Sequence, residues 1–351
     1  MNKTGTTALQ SHMARVRDLA RADGLVYPEV LGDNHSMPLA AIFRPDDPTL
    51  ARLLDRRGGS ELLGRADMLR TGLEATCAAA AAAGHDLFLS GEGVGHFPQD
   101  ACRDLRAFLL RYVDRIVVLA MVRPPRSFAR SAAQQRVRYK LTFDDLAARP
   151  PVPTYAARFE QHRRVFGADA VRFAVYHRGG LVDGCILRTV LGMIERPLPS
   201  LAGERAPREN SAVSMTAIKL LSALNGRDGD PLAVLPPSIA SLLTEGGGGR
   251  SVEALRRAVV GVPGPPFRLP VEVAAAVDAA LAEDRAYVDA VLGVPIDSFD
   301  DRRDIAGAPR LADMARFSPD EVDAVRDHLA RRRPRRRTTR GMLSAIWRKR
   351  G

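Results

Sequence analysis

The first residues of the sequence combine a lysine, a glycine and threonines at the start of a helical pattern. Lys3, Thr4, Gly5, Thr6 and Thr7 lead directly into residues with helical periodicity. Backbone N–H groups at a helix N-terminus bind anions, glycine allows close approach, and lysine adds a mobile positive charge. The segment therefore predicts an anion site, with a simple helix cap as the alternative. It is not the ATP-type loop G-x-x-x-x-G-K-[ST], because here the lysine precedes the glycine.

A second candidate anion site follows the most apolar stretch of the chain. The run DRIVVLAMV at 114–122 predicts a strand buried on both faces. Arg123 comes directly after it, and Ser131 falls eight residues later on a helix predicted for about 124–140. Ligands of open α/β sheets bind at the carboxyl ends of strands, so Arg123 and Ser131 are predicted to hold one phosphate. The alternative is an exposed arginine and a serine inside a helix.

The elements that position these residues alternate between strands and helices. Strands are predicted at 86–90, 114–122 and 170–176, with helices between them at about 99–112, 124–140 and 154–166. This order predicts the α/β class, with a central parallel β-sheet flanked by helices. After the last strand, residues 196–270 are predicted to be loop-rich, with one firm helix at about 214–224 capped by Ser214. Residues 271–330 are predicted to be helical, which makes 1–330 one α/β domain with a helical C-terminal elaboration.

The net charge of +11 lies in the C-terminal tail. Residues 331–351 carry ten Arg or Lys and no acid, and without these ten the chain has 42 basic and 41 acidic residues. Such a tail could contact an anionic membrane, and its apolar residues, which include the only tryptophan, favour that partner over a nucleic acid. A solvated, disordered terminus is the alternative.

Other features of the sequence concern compartment and metal. No apolar run reaches the roughly 18–20 residues that span a bilayer, and no signal peptide is recognisable, so a cytoplasmic location is predicted, with peripheral contact at the inner membrane surface through the tail. The cysteines Cys77, Cys102 and Cys185 lack metal-ligand spacing. Free thiols are therefore predicted, with neither disulfide nor metal.

The two anion-binding segments together resemble the bacterial branch of the sulfotransferase family. A K-T-G-T-T segment that opens a helix is followed about 120 residues later by a strand ending in Arg-Pro, with a serine eight residues on. Three later stretches are also similar to that branch: residues 155–184, 208–225 and 267–293. The resemblance, which runs from Asn2 to about Val294, implies a P-loop-like fold. It also implies transfer of a sulfuryl group from 3′-phosphoadenosine 5′-phosphosulfate (PAPS) to a hydroxyl, as in carbohydrates or glycolipids.

Site roles follow from the same resemblance. Residues 3–7 would hold the 5′-phosphosulfate, and Arg123 and Ser131 would hold the 3′-phosphate. The loop-rich residues 196–270 would lie on the acceptor side. Lys3 would stabilise negative charge that develops on the bridging oxygen of the leaving phosphate. No metal is implied.

The residue that would deprotonate the acceptor is left open between loop residues. Glu92 follows the predicted strand at 86–90, His35 lies in the loop after the first helix, and His96 is a third candidate. A histidine titrates near neutral pH, whereas a glutamate needs its pKa raised by burial. Each could instead cap a helix or make a local hydrogen bond.

The start of the chain departs from the family pattern. In the family, the anion-binding loop follows a central strand, whereas only Met1 and Asn2 precede Lys3 here. We expect the natural start to lie upstream, because a missing central strand would leave buried backbone groups unpaired at about 1–3 kcal/mol each. A chain without that strand would favour a non-catalytic binder of nucleotides or polyanions. A small-molecule kinase is the less favoured alternative, since the sequence offers no second glycine-lysine arrangement.

Overall fold

The computed structural model describes residues 5–56, 61–206, 213–226, 230, 232–247, 251–300 and 307–332. Lys3, Thr4 and the tail beyond Arg332 lie outside these ranges. The strands in the described ranges are β1 (Leu25–Val26), β2 (Asp86–Leu87), β3 (Val118–Val122) and β4 (Val171–Val175). The α-helices there are α1 (Thr6–Arg15), α2 (Arg17–Ala22), α3 (Ser36–Phe43), α4 (Pro48–Arg56), α5 (Glu61–Gly64), α6 (Ala66–Ala82), α7 (Gln99–Leu109), α8 (Pro125–Arg138), α9 (Phe143–Ala148), α10 (Tyr155–Phe166), α11 (Ile186–Gly192), α12 (Met215–Leu224), α13 (Pro237–Gly247), α14 (Val252–Val259), α15 (Val271–Ala280), α16 (Ala282–Leu292) and α17 (Pro319–Arg332).

The strands form two separate parallel pairs. β1 pairs with β2, and β3 pairs with β4 over five residues from Val118↔Val171 to Val122↔Val175. The predicted combination of helices with parallel strands is confirmed. The single central sheet is a correction, because no ladder joins the two pairs within the described ranges. The strand predicted at 86–90 is only two residues long. A pair of strands has marginal stability when no third strand lies beside it, and this limits the length of β2.

One compact unit, formed by residues 1–132, 150–211 and 274–307, contains both strand pairs. On one face, Leu9 of α1 belongs to the same apolar cluster as Leu25 of β1 and Met121 of β3. On the other face, Val122 of β3 packs with Phe159 of α10. Side chains alternate between the faces of a strand, and β3 and β4 each contribute to both clusters. The packing of α1 against both pairs fixes its N-terminus relative to each of them.

A second compact unit, formed by residues 133–149, 212–273 and 308–351, is helical where it is described. Ser214 caps α12 as predicted, since its Oγ accepts from the Ala217 amide over 3.1 Å. The buried Lys219 ammonium pairs with Glu321 at 2.7 Å. The prediction of a single helix within 196–270 is wrong, because α13 and α14 also form there. These helices are short and lie between glycine- and proline-rich stretches, which dominate the local sequence pattern.

Helices with clear periodicity are found where they are predicted. The helices predicted at 99–112, 124–140 and 154–166 correspond to α7, α8 and α10, with ends that differ by about three residues or fewer. The first predicted helix is divided into α1 and α2 at Val16. None of the helices in the described ranges is long and apolar enough to cross a membrane.

Candidate functional site

The carboxyl ends of the strands meet the N-terminus of α1. Glu92 follows β2, Arg123 follows β3 and Tyr176 follows β4. The hydroxyl of Thr6, the first residue of α1, donates to Glu92 Oε2 over 3.0 Å. Parallel sheets bind their ligands at this edge, so the arrangement is a candidate binding site.

The N-terminus of α1 has the features of an anion site. The helix starts after Gly5, whose φ of 68° is left-handed, and no side chain in the described ranges caps it. Its first turn contains no acidic residue, and Thr7 in that turn is exposed. The first amides of a helix have no intrahelical partner, so here they can donate to a bound anion.

Tyr176 connects the two segments that the sequence predicts to bind anions. A β-carbon on Gly5 would lie 2.9 Å from two ring carbons of Tyr176. On the same tyrosine, the guanidinium carbon of Arg123 lies 5.7 Å from the ring centroid. The Tyr176 amide donates to the Val122 carbonyl over 2.6 Å, which fixes the tyrosine beside the end of β3. The sequence pattern does not single out Tyr176; its position directly after an apolar strand is the available signal.

Arg123 is held at the start of α8. Its Nε donates to Ser127 Oγ over 2.9 Å, and its carbonyl accepts from the Tyr155 hydroxyl. Ser131, the predicted partner, is half-buried one helical turn beyond Ser127 on the same face of α8. The serine that the structure places in contact with Arg123 is therefore Ser127, which the prediction omits.

A carboxylate already interacts with the first turn of α8. The backbone amides of Arg126 and Ser127 donate to the side chain of Asp300. Burial raises the pKa of Asp300 to about 6, although these two hydrogen bonds oppose the shift. Asp300 thus carries negative charge at the first turn of α8 at neutral pH, where it would compete with a phosphate bound to the same amides.

Glu92 and His35, the two candidate bases, have different environments. Glu92 is half-buried next to α1. Burial lowers the pKa of the nearby Arg158 guanidinium, and the charge of Glu92 partly opposes this shift. His35 is fully buried, and its Nδ1 accepts from the Ser90 amide over 3.1 Å. Burial lowers the pKa of His35 to about 4, partly opposed by a hydrogen bond to the Gly32 backbone, so its ring is neutral near pH 7. His96 is exposed.

The segment that carries Glu92 packs closely on the start of α3. A β-carbon on Gly91 would lie 2.9 Å from the Ser36 amide nitrogen, and the Gly93 amide donates to Ser36 Oγ over 3.1 Å. The residue before Ser36 is His35, which bonds Ser90 through both its ring and its backbone amide. His35 therefore fixes the start of the Glu92 segment through Ser90. The Glu92 side chain itself contacts Thr6 of α1.

A cavity of about 1040 Å³ extends from this edge between the two strand pairs. Its lining includes Thr6, Ser90, Gly91 and Glu92 of this edge and apolar residues of both pairs: Leu25, Leu87, Phe88, Leu89, Leu119, Ala120 and Met121. The cavity is partly open, so it is a cleft and not an enclosed void. An apolar cleft with a few polar groups at one edge is typical of a binding site.

The comparisons with known proteins found no relative of this chain. No protein-family model matches the sequence, and the comparisons with curated proteins and with solved structures gave no match. Within the described ranges, no group of three or more His, Cys, Asp or Glu is arranged to hold a metal ion. The function is therefore argued from the sequence motifs and the geometry of the site.

Proposed function

We propose that this protein binds PAPS and transfers its sulfuryl group to a hydroxyl acceptor. The observation that carries the proposal is the convergence of two anion-binding features on Tyr176. The start of α1, which no side chain of the described residues caps, lies against one part of the tyrosine, and Arg123 lies 5.7 Å from its ring centroid. PAPS carries anionic groups at both its 5′ and 3′ positions, so a ligand of this class suits two such features.

In this proposal each feature binds one end of the nucleotide. The amides of Thr6 and Thr7 donate to the 5′-phosphosulfate, with Lys3, outside the described ranges, as the predicted cation. Arg123 binds the 3′-phosphate together with the α8 hydroxyls of Ser127 and Ser131. PAPS supplies an activated sulfuryl group, and the residues of the chain hold it in line with the acceptor oxygen.

Glu92 is the base that the geometry supports best. Its carboxylate lies 3.0 Å from the Thr6 hydroxyl, next to the proposed 5′-phosphosulfate site. As the acceptor oxygen bonds to sulfur, the bond from sulfur to the phosphate oxygen breaks, and Glu92 takes the acceptor proton. His35 is buried, and its hydrogen bond to Ser90 makes it a residue that positions the segment carrying Glu92.

The acceptor is proposed from the resemblance and the charge of the tail. A carbohydrate or a lipid-linked glycan at the cytoplasmic membrane surface would suit the basic residues of 331–351. Neither a metal nor a specific nucleic acid has a part in the proposal.

A nucleotide binder without turnover is the second candidate. It is favoured by the two unconnected strand pairs, since Thr6 and Glu92 line the cavity between them. A base that is poorly fixed in position would preserve binding and lose much of the rate, because catalysis is sensitive to small displacements.

Calorimetric titration of 3′-phosphoadenosine 5′-phosphate into the purified chain tests the proposal. We expect binding that AMP, which lacks the 3′-phosphate, and ATP do not reproduce. Sulfuryl transfer to a panel of glycan acceptors then separates the enzyme from the non-catalytic binder. Equal affinity for AMP and for the 3′-phosphorylated nucleotide, or no binding of either, would contradict the assignment.

A further inference from the structure

Arg158 of α10 lines the same cleft as Glu92. Its Nε donates to Thr154 Oγ1 over 3.1 Å. The two terminal nitrogens of its guanidinium contact no carboxylate of the described residues, and the side chain is half-buried. Burying a charge costs free energy unless an opposite charge compensates it. Arg158 is therefore a candidate group for binding an anionic ligand.

Other half-buried arginines of the same compact unit contact a carboxylate directly. Arg126 pairs with Asp278 at 2.6 Å, and Arg196 pairs with Asp86 at 2.7 Å. Their charges are thus compensated within the chain. Arg158 is also half-buried, yet it has no such partner in the described part of the chain. The compensating charge can come from a ligand instead.

Two carboxylates act on Arg158 from a greater distance. Burial lowers the pKa of the guanidinium, and the charges of Asp284 and Glu92 partly oppose this shift. Asp284 accepts from two backbone amides at the start of α10, over 2.5 and 2.7 Å. Glu92 accepts from the Thr6 hydroxyl. Because other donors hold both carboxylates, the terminal nitrogens of Arg158 are available to a ligand.

The segment that begins with Glu92 contacts both α1 and α10. The Glu92 carboxylate lies 3.0 Å from Thr6 Oγ1, and the Val94 carbonyl oxygen lies 3.2 Å from His162 Nε2 of α10. Arg158 is one turn before His162 on the same face of that helix. Both residues line the cleft, as Glu92 does. Arg158 and Glu92 therefore face the same accessible space.

The charges of the reactants decide which group would bind Arg158, and this step rests on the proposed function. The anionic groups of the nucleotide are assigned to the start of α1 and to Arg123, so the acceptor is the reactant left to contact Arg158. An acidic acceptor is repelled by Glu92 and by the 5′-phosphosulfate, and a guanidinium in the same cleft offsets that repulsion. A neutral acceptor would leave the guanidinium uncompensated.

We propose that Arg158 binds an anionic group of the acceptor, and that the acceptor is an acidic sugar with a carboxylate or a phosphate. The planar guanidinium donates two parallel hydrogen bonds to either group. Arg158 thereby selects acidic over neutral acceptors and holds the accepting hydroxyl near Glu92. It contacts the acceptor and takes no part in moving the proton.

NMR titration with simple sugars, followed through the backbone amides of α10, tests this inference. The protein is saturated with 3′-phosphoadenosine 5′-phosphate and titrated with methyl β-D-glucuronide, glucose 1-phosphate or methyl β-D-glucoside. The first sugar carries a carboxylate and the second a phosphate, whereas the third is neutral. We expect at least one acidic sugar to bind about 10-fold more tightly than the glucoside. The sugar that does so identifies the anion.

The decisive variant is Arg158→Met, which keeps an extended side chain and removes the charge. We expect its affinity for the acidic sugar to fall about 10-fold, with no change for the glucoside. Arg164→Met is the matched control, because Arg164 is exposed on the same helix and pairs with Glu160 at 3.4 Å. Arg158→Lys keeps the charge without the planar fork and should retain only part of the preference. Circular dichroism verifies that each variant is folded.

Two outcomes would overturn the inference. One is equal affinity of the parent for acidic and neutral sugars, or no binding of either, and the other is an unchanged preference in Arg158→Met. Should that variant not fold, Arg158→Lys decides, and an undiminished preference there counts against the inference.

Titration of the nucleotide without sugar tests the proposed function separately. If the nucleotide does not bind while the preference for acidic sugars depends on Arg158, the proposed function is wrong and the anion site stands. If the nucleotide binds and the preference is absent, only the inference about the acceptor is wrong.

Discussion

Gly5 and Tyr176 fit so closely that a β-carbon on residue 5 would lie 2.9 Å from two carbons of the tyrosine ring. The contact joins the start of α1 to the end of β4. Arg123 lies near the same ring, so a single aromatic side chain sets the spacing between the two proposed anion sites. Changes at this contact should therefore alter ligand binding more than they alter stability.

Gly5→Ala tests this relationship. The substitution adds strain of about 1–2 kcal/mol at a positive φ and forces Tyr176 to move. We expect weaker binding of 3′-phosphoadenosine 5′-phosphate by calorimetry, with a folded protein by circular dichroism. Gly293→Ala is the matched control, because Gly293 has nearly the same backbone conformation (φ 70°, ψ 9°) and no atom lies within 4 Å of the added carbon. If both variants bind alike, the Tyr176 contact has no part in the site.

Arg123→Ala removes the proposed 3′-phosphate ligand. A hydrogen bond to a charged group contributes about 1.5–3 kcal/mol, so we expect affinity for 3′-phosphoadenosine 5′-phosphate to fall roughly 10- to 150-fold. The affinity for AMP should change little. Arg103→Ala, on the exposed face of α7, removes the same charge elsewhere and should leave both affinities unchanged. An equal loss for the two nucleotides would place Arg123 away from the 3′-phosphate.

Glu92→Gln separates binding from chemistry. The amide keeps an acceptor for the Thr6 hydroxyl but cannot take a proton, so we expect turnover to fall about 10²- to 10⁴-fold. Nucleotide affinity should stay the same or increase, since a negative charge near the anion is removed. Thr6→Val keeps the carboxylate and loses only the hydrogen bond that holds it, and it should lower turnover less. Normal turnover in the glutamine variant would exclude Glu92 as the base and leave His35 as the next candidate.

Asp300→Asn should change the pH dependence of stability. Burial raises the pKa of Asp300 to about 6 in the folded protein, above its unfolded value of 3.8. The protonated form is therefore the more stable one when folded, and the contribution of Asp300 to stability is lost as pH rises through about 6. We expect the asparagine variant to be more stable by about 2–3 kcal/mol at pH 8 and to match the parent near pH 3.5. Urea unfolding at both pH values measures this difference.

Exposed Asp169→Asn is the control for that experiment, with no pH-dependent gain expected. The same Asp300 variant should also bind the nucleotide more tightly at pH 8, because the carboxylate at the α8 amides no longer competes with phosphate. A variant less stable than the parent at pH 8 would show that the hydrogen bonds of the carboxylate to α8 outweigh the penalty of burial.

Local sequence determined the elements and their types. The apolar run before Arg123 gives a buried strand, and Ser214 caps α12, because periodicity and capping depend on residues close together in the chain. The position of Arg123 at a carboxyl edge follows from the same information. The sequence prediction omits α14, although its eight residues are strongly amphipathic, because glycine- and proline-rich stretches flank it on both sides.

Only the tertiary structure decided which groups meet at that edge. Tyr176 against Gly5 and Asp300 at the first turn of α8 are contacts between segments far apart in the chain. Packing and burial select such contacts, and neither leaves a periodic trace in the sequence. The cavity between the strand pairs has the same origin: each strand is encoded locally, but tertiary packing selects the strand with which it pairs.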